Sequence, residues 1–206
     1  MADGFPLARP GMRIGLLGGS FDPAHAGHVH ITRVAMRRFQ LDRIWWMISP
    51  GNPLKTRGPA PIDHRIADAR KLLQDPSVEV TDIEARLGTR MTADTIAALQ
   101  KRYPGVRFVW LMGSDNLVQF DRWDRWRQIA RMVPIGVLAR PGTRVAARNS
   151  VAAQIMRRWR LPQSQAASLA RRRPPAWVLI NLPMRPHSST AIRASLGQHA
   201  SSGEGS

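Results

Sequence analysis

The chain has 206 residues, 43% of them hydrophobic, enough for one domain with a sizeable core. It has no cysteine, which excludes disulfides and thiolate metal sites and leads to the expectation of a reducing, cytoplasmic setting. Lys+Arg is 31 against 14 for Asp+Glu, a net charge of +17, so the candidates are polyanionic ligands or a solvated basic face.

Residues 1–12 read as an N-terminal extension. Its neighbour, the apolar run Ile14 to Leu17, is too short for a signal core or a membrane span. "RIGLL" (13–17) reads as a buried strand. From His28 to Gln40, Ile31, Val34, Ala35 and Phe39 form a helical stripe. "RIWWMIS" (43–49) is a second strand, and Ile62, Ile66, Ala69 and Leu73 mark a second helix. "VEVTDIE" (78–84) reads as a third strand, followed by a helix starting near Thr92 as N-cap. "RFVWLMG" (107–113) is a fourth strand, "RWRQIARM" a helix and "PIGVLAR" (134–140) a fifth strand. Residues 144–160 read as helix, 161–176 as loop, 177–183 as a sixth strand and 188–196 as a short closing helix. Residues 13–196 are expected to form a single domain, and 197–206 a disordered tail.

Strand and helix alternate, and the strands are continuous apolar runs. The expected fold is α/β: a Rossmann-like, doubly wound parallel sheet of about five to six strands with helices on both faces. Ligands in such folds bind beyond the carboxyl ends of the strands, at the switch point. "GGSFDPAHAGH" follows the first strand, "PGNPLK" the second, "GSDN" the fourth, "RPG" the fifth and "RPHSST" the sixth.

Gly18 and Gly19 permit tight turning and close ligand approach, and the helix behind them offers unpaired N–H groups to an anion. His25 and His28 are three apart, which puts both imidazoles on one side of the first turn. A charge-assisted hydrogen bond supplies about 1.5–3 kcal/mol and a helix terminus about 0.3–1 kcal/mol. Two imidazoles and an arginine would therefore hold a triphosphate; the helix end alone would not. H-x-x-H without a third ligand is a poor zinc site, and capping or packing is the ordinary alternative for such histidines. Thirteen arginines between Arg122 and Arg173 face one acid, Asp124. A basic nucleic-acid-binding module is therefore the competitor from another class, though no groove-reading motif is present and no nucleic-acid or membrane partner is expected.

"GGSFDPAHAGH" resembles the signature of the nucleotidyltransferase superfamily carrying (H/T)-x-G-H, and "SSTAIR" (188–193) is similar to its second signature, S-[ST]-T-x-[IL]-R. With "GTRMTADT", "LMGSDNLVQFDRW" and "ARPG", the likeness is to bacterial nicotinate-nucleotide adenylyltransferases over residues 13–196. It implies transfer of the adenylyl group of ATP to nicotinate mononucleotide, giving deamido-NAD and pyrophosphate, with Mg²⁺ carried on the ATP phosphates. Relatives acting on nicotinamide mononucleotide or phosphopantetheine are the alternatives. The resemblance implies that His25, His28 and Arg193 are catalytic. ATP would also meet Gly18, Gly19, Ser20, Phe21, Gly113, Asp115, Ser188, Ser189 and Thr190. Nicotinate mononucleotide would meet Asn52, Lys55, Thr92, Trp123 and Arg140, with Trp123 stacking on the pyridine and Trp126 left to the core. Monomer or homo-oligomer is left open, and His187 has no assigned role.

Overall fold

A computed structural model describes residues 4–50, 59–140 and 142–182. Strand β1 (Arg13–Gly19) buries Ile14, Leu16 and Leu17 on both faces, as a central parallel strand must. Helix α1 (Ala26–Phe39) turns Ile31, Val34, Ala35 and Phe39 inward. The chain continues through β2 (Arg43–Ile48), α2 (Ile62–Leu72), β3 (Val78–Thr81), a single turn α3 (Ile83–Arg86), α4 (Thr92–Arg102) and β4 (Arg107–Gly113). It then runs through α5 (Ser114–Val118), α6 (Trp126–Met132), β5 (Ile135–Ala139), α7 (Arg144–Asn149), α8 (Val151–Ile155), β6 (Arg160–Leu161) and β7 (Trp177–Asn181).

The strands form one seven-stranded sheet in the order β3-β2-β1-β4-β5-β7-β6, with every pairing parallel. The chain moves outward from β1 to β3, then crosses back to lay β4 on the other side of β1. That reversal opens a crevice beyond the carboxyl ends of β1 and β4. Two cores cover the sheet. One holds α1, α2 and the 3₁₀ helix Gln163–Arg171; the other holds α3, α4, α6, α7 and α8. Because side chains alternate along a strand, adjacent Trp45 and Trp46 of β2 enter opposite cores, both fully buried. The segment before β1 packs under α4 and β4: Tyr103 Oη donates to the Pro6 carbonyl (2.8 Å), and the Arg102 guanidinium lies 3.6 Å over the Phe5 ring.

Several sequence expectations need correction. The sheet has seven strands rather than five or six, because β6 is a two-residue edge strand too short to show a period. Strand β3 stops at Thr81, where Asp82 turns the chain: its carbonyl accepts from Ala85 and Arg86, and its carboxylate takes Arg86 Nε. The expected helix 144–160 breaks at Ser150, which adopts extended backbone and caps α8 through its hydroxyl (3.3 Å to the Ala153 N–H). The expected loop 161–176 contains the nine-residue 3₁₀ helix Gln163–Arg171, which buries Ala166, Leu169 and Ala170. The sixth expected strand ends at Asn181. The expected closing helix and tail lie outside the described residues. No helix among the described residues is long and apolar enough to cross a membrane. In the arginine-rich stretch, every arginine except Arg140 and Arg160 is exposed.

Candidate active site

The first rim segment follows β1. A Cβ on Gly18 would come within 3.1 Å of the Trp110 ring of β4, so glycine lets the two strand ends approach. Phe21 has a left-handed backbone (φ 46°), which costs an L-residue about 1–2 kcal/mol. Its ring offsets this by burial: it stacks on Trp46 (centroids 4.9 Å) and lies 4.8 Å from the His28 ring. The loop is thus fixed from below by β2 and from the side by α1.

Helix α1 starts at Ala26, two residues earlier than the apolar stripe indicates, because His25 is its N-cap. His25 Nδ1 accepts from the Gly27 N–H (3.0 Å), and His28 Nδ1 accepts from the His25 N–H (3.2 Å). This is a capping box built from imidazoles instead of Ser and Glu. The expected placement on one side of the turn is met: the rings are 4.0 Å apart. The capping alternative is met as well, and the two roles are compatible. A ring nitrogen that accepts carries no proton, so the proton of each ring sits on Nε2. The helix end therefore sets the two imidazoles in the same orientation, with Nδ1 turned to the backbone and Nε2 on the opposite side of the ring.

His28 stays neutral. Burial, then the neighbouring His25 and the charge of Arg140, push it from 6.5 down to about 3. Arg140, at the exit of β5, thus acts electrostatically on a residue behind β1. Between about 3 and 6.5 the unfolded chain binds a proton at this position that the folded chain does not. The stability His28 permits is therefore complete above pH 6.5 and is lost as pH falls toward 3. Urea titrations at pH 7 and pH 5 should show His28→Asn losing about 2 kcal/mol less than the parent over that interval.

A second rim segment follows β4. Gly113 is the N-cap position of α5, and Asp115 is the second helical residue and exposed. A Cβ on Gly113 would overlap the Asp115 carboxylate at 2.3 Å, so only glycine lets that side chain fold back. Ser114 Oγ pairs with Thr143 Oγ1 (2.5 Å), and Thr143 Oγ1 is 2.8 Å from the Arg140 carbonyl. The exits of β4 and β5 are thereby joined.

Thr92 does not cap α4. Met91 holds the N-cap position, with its carbonyl accepting the Thr95 N–H (3.0 Å) and hydroxyl (3.2 Å), and Thr92 is the first helical residue. Arg125 grips Asp94 through Nη1 and Nη2 (2.9 and 2.6 Å), tying the start of α4 to the turn that carries Trp123. Trp123 is half-buried, edge-on to Trp110 (6.2 Å) and Phe120 (5.4 Å), whereas Trp126 is buried in the core as expected. Asn52, Lys55, His187, Ser188, Ser189, Thr190 and Arg193 lie outside the described residues. Among the described residues no group of three His, Asp or Glu stands together as a metal cage.

Sequence reasoning missed Arg65 of α2. Only 3% exposed, it donates to three backbone carbonyls: Ala60 (2.7 Å), Ser20 (2.7 Å) and Ser49 (2.9 Å). The signal was available: Arg65 sits on the apolar stripe between Ile62 and Ala69, where a solvated arginine has no place.

The chain matches the cytidylyltransferase-like family over residues 16–195. It is 66% identical over 183 residues to a probable nicotinate-nucleotide adenylyltransferase of Cereibacter sphaeroides, covering 89% of this chain and 97% of the relative. A second relative of that name, from Ruegeria pomeroyi, is 59% identical over 200 residues, covering 97% and 94% of the two chains. In fold it resembles a Plasmodium falciparum nicotinic acid mononucleotide adenylyltransferase complexed with NaAD. The TM-score is 0.68, with 18% identity over 89% of this chain and 83% of that one.

Proposed function

The chain belongs to the nicotinate-nucleotide adenylyltransferases of the cytidylyltransferase-like family, and from that premise we propose that the sheet rim around His25, His28 and Arg140 is its catalytic site. The enzyme transfers the adenylyl group of ATP to nicotinate mononucleotide, giving deamido-NAD and pyrophosphate, a step of NAD biosynthesis. The observation that carries the site reading is the pair of imidazoles, 4.0 Å apart, with the Nδ1 of each held by a backbone N–H at the end of α1, at the switch point of the sheet.

In this reading, a phosphate oxygen of nicotinate mononucleotide attacks the α-phosphorus of ATP in line. The bond to the bridging oxygen breaks, and pyrophosphate leaves with that electron pair. A phosphate monoester has its second pKa near 6, so at neutral pH the nucleophile is already largely the dianion and needs no general base. What remains is alignment and stabilisation of charge. His28 Nε2–H donates to the α-phosphate and His25 Nε2–H to its neighbour, each bond charge-assisted by the anionic acceptor. Neutral His28 does this without titrating as the pyrophosphate leaves. The Gly18–Phe21 backbone cradles the nucleotide, and Gly113 and Asp115 face the adenosine. Ser188, Ser189, Thr190 and Arg193 take the β,γ-phosphates, with Arg193 bracing the leaving group. Asn52 and Lys55 meet the acceptor phosphate, Thr92 the nicotinate carboxylate and Trp123 the pyridine face. Mg²⁺ would enter on the ATP phosphates and lower their charge, held by substrate oxygens and water, a setting that suits its reluctance to dehydrate. A cytoplasmic location fits a reaction that consumes ATP.

The test is pyrophosphate release from Mg·ATP with three acceptors in parallel. Nicotinate mononucleotide should be strongly preferred; equal turnover of the amide mononucleotide, or turnover of phosphopantetheine alone, would move the assignment. Trp123→Ala should raise KM for nicotinate mononucleotide about tenfold, the worth of a lost aromatic stacking contact, with KM for ATP unchanged. An unchanged acceptor KM would return Trp123 to the core.

A further inference from the structure

We propose that Arg65 is a positioning residue for adenylyl transfer, one that locks the Ser20–Phe21 peptide and the exit of β2 into a single register from beneath the site. This rests on the assignment of the sheet rim as the catalytic site.

The guanidinium spans three separate stretches of chain. Nε donates to the Ala60 carbonyl at the entry to α2, while Nη1 is shared between the Ser20 carbonyl behind β1 and the Ser49 carbonyl behind β2. A planar fork with fixed donor directions can do this; an ammonium on a flexible stem cannot hold the same three partners in plane. Among the described residues no carboxylate forms an ion pair with Arg65, although Asp22, in the same loop as Ser20, acts on it electrostatically. Burying a cation on carbonyls alone is costly, and the neighbouring stripe positions, Ile62, Ile66 and Ala69, show that apolar residues fill this face of α2. A fold that needed only packing here would not use an arginine.

The geometry shows what the arginine sets. In a trans peptide the C=O and N–H point in opposite directions. Drawing the Ser20 carbonyl toward α2 therefore turns the Phe21 N–H away from α2. No acceptor among the described residues takes that N–H. A second tie reinforces the register, because the Ser49 N–H donates to the Gly19 carbonyl (2.9 Å). Two links thus bind the nucleotide loop to the strand end that leads toward Asn52 and Lys55. The attacking phosphate and the α-phosphorus must meet in line, so an error in this register falls on the rate of the chemical step.

The test compares Arg65→Lys, Arg65→Ala and, as a packing control on the same helix, Ile66→Ala, using far-UV circular dichroism, melting curves and steady-state kinetics with both substrates. Folded Arg65→Lys should lose about tenfold to a hundredfold in kcat, with smaller changes in either KM, while Ile66→Ala keeps the parent kcat. Added guanidinium ion, at concentrations that leave the parent unaffected, should restore part of the Arg65→Ala kcat. A folded Arg65→Lys with parent kcat overturns the proposal. So does failure of both Arg65 variants to fold, which would make Arg65 a residue of the fold alone. Absence of turnover in the parent itself would instead count against the assignment of the site.

Discussion

His28→Ala is expected to lower kcat by about 10²–10³-fold while leaving the sheet and its cores intact. The figure is that of a single preorganised donor lost from a developing anionic centre, about 2.7–4 kcal/mol. Three features make His28 such a donor. Its Nδ1 is occupied by the His25 N–H, so the ring cannot flip without breaking the cap of α1. Its charge state is settled by burial and by Arg140, so it donates as a neutral group across the ordinary pH range. Its ring is wedged between Phe21 (4.8 Å) and His25 (4.0 Å), which restricts its motion. Alanine also removes one cap acceptor, worth about 1 kcal/mol of stability. His28→Asn separates the effects, because its carbonyl can still accept from the cap while its short amide cannot reach where Nε2 reached. Both variants should be slow, with Asn the more stable. A kcat near that of the parent in folded His28→Ala would remove this residue from the chemistry.

Much of this site was legible because the residues that form it follow strands whose apolar runs are unambiguous. "RIGLL", "RIWWMIS" and "RFVWLMG" appear as β1, β2 and β4, and the glycines and histidines fall where a doubly wound sheet puts its ligands. What was not legible has physical causes. Strand β6 is two residues long, below any period. The 3₁₀ helix Gln163–Arg171 buries a stripe of only Ala166, Leu169 and Ala170 between Pro162 and the basic run 171–173, so polar and breaker signals outweigh it. Thr92 has the right chemistry for an N-cap, yet the backbone of Met91 occupies that position, and caps are decided by one residue of register. The shared tautomer of the histidines depends on which atoms of the cap meet, which spacing alone does not give. Arg65 was hidden by the ordinary assumption that arginine is solvated.

Trp46→Ala should cost about 3–5 kcal/mol of folding stability, a large part of the 5–15 kcal/mol available to a domain. The indole is fully buried in β2, and its Nε1 donates to Thr32 Oγ1 (2.8 Å) inside α1, itself 1% exposed. Truncation leaves a cavity and an unanswered hydroxyl together. Trp45→Ala should cost a similar amount, since that ring is also fully buried and packs against Tyr103 (5.2 Å) and Phe108 (5.7 Å). The two variants should nevertheless differ in catalysis. Trp45 enters the core on the α4 side, away from the nucleotide loop. Trp46 enters the other, where its ring is the floor beneath Phe21 and lies 6.0 Å from His28. Phe21 keeps its left-handed backbone only while its ring has a surface to pack on. Loss of Trp46 should therefore let the loop relax and lower kcat of the folded protein about tenfold or more, where Trp45→Ala leaves it near the parent. Urea titration gives the stabilities, and turnover measured well below the midpoint of each variant gives the rates. Equal rates in the two folded variants would mean that the Phe21 conformation is held by something other than the ring beneath it, and the link from core packing to the phosphate site would be lost.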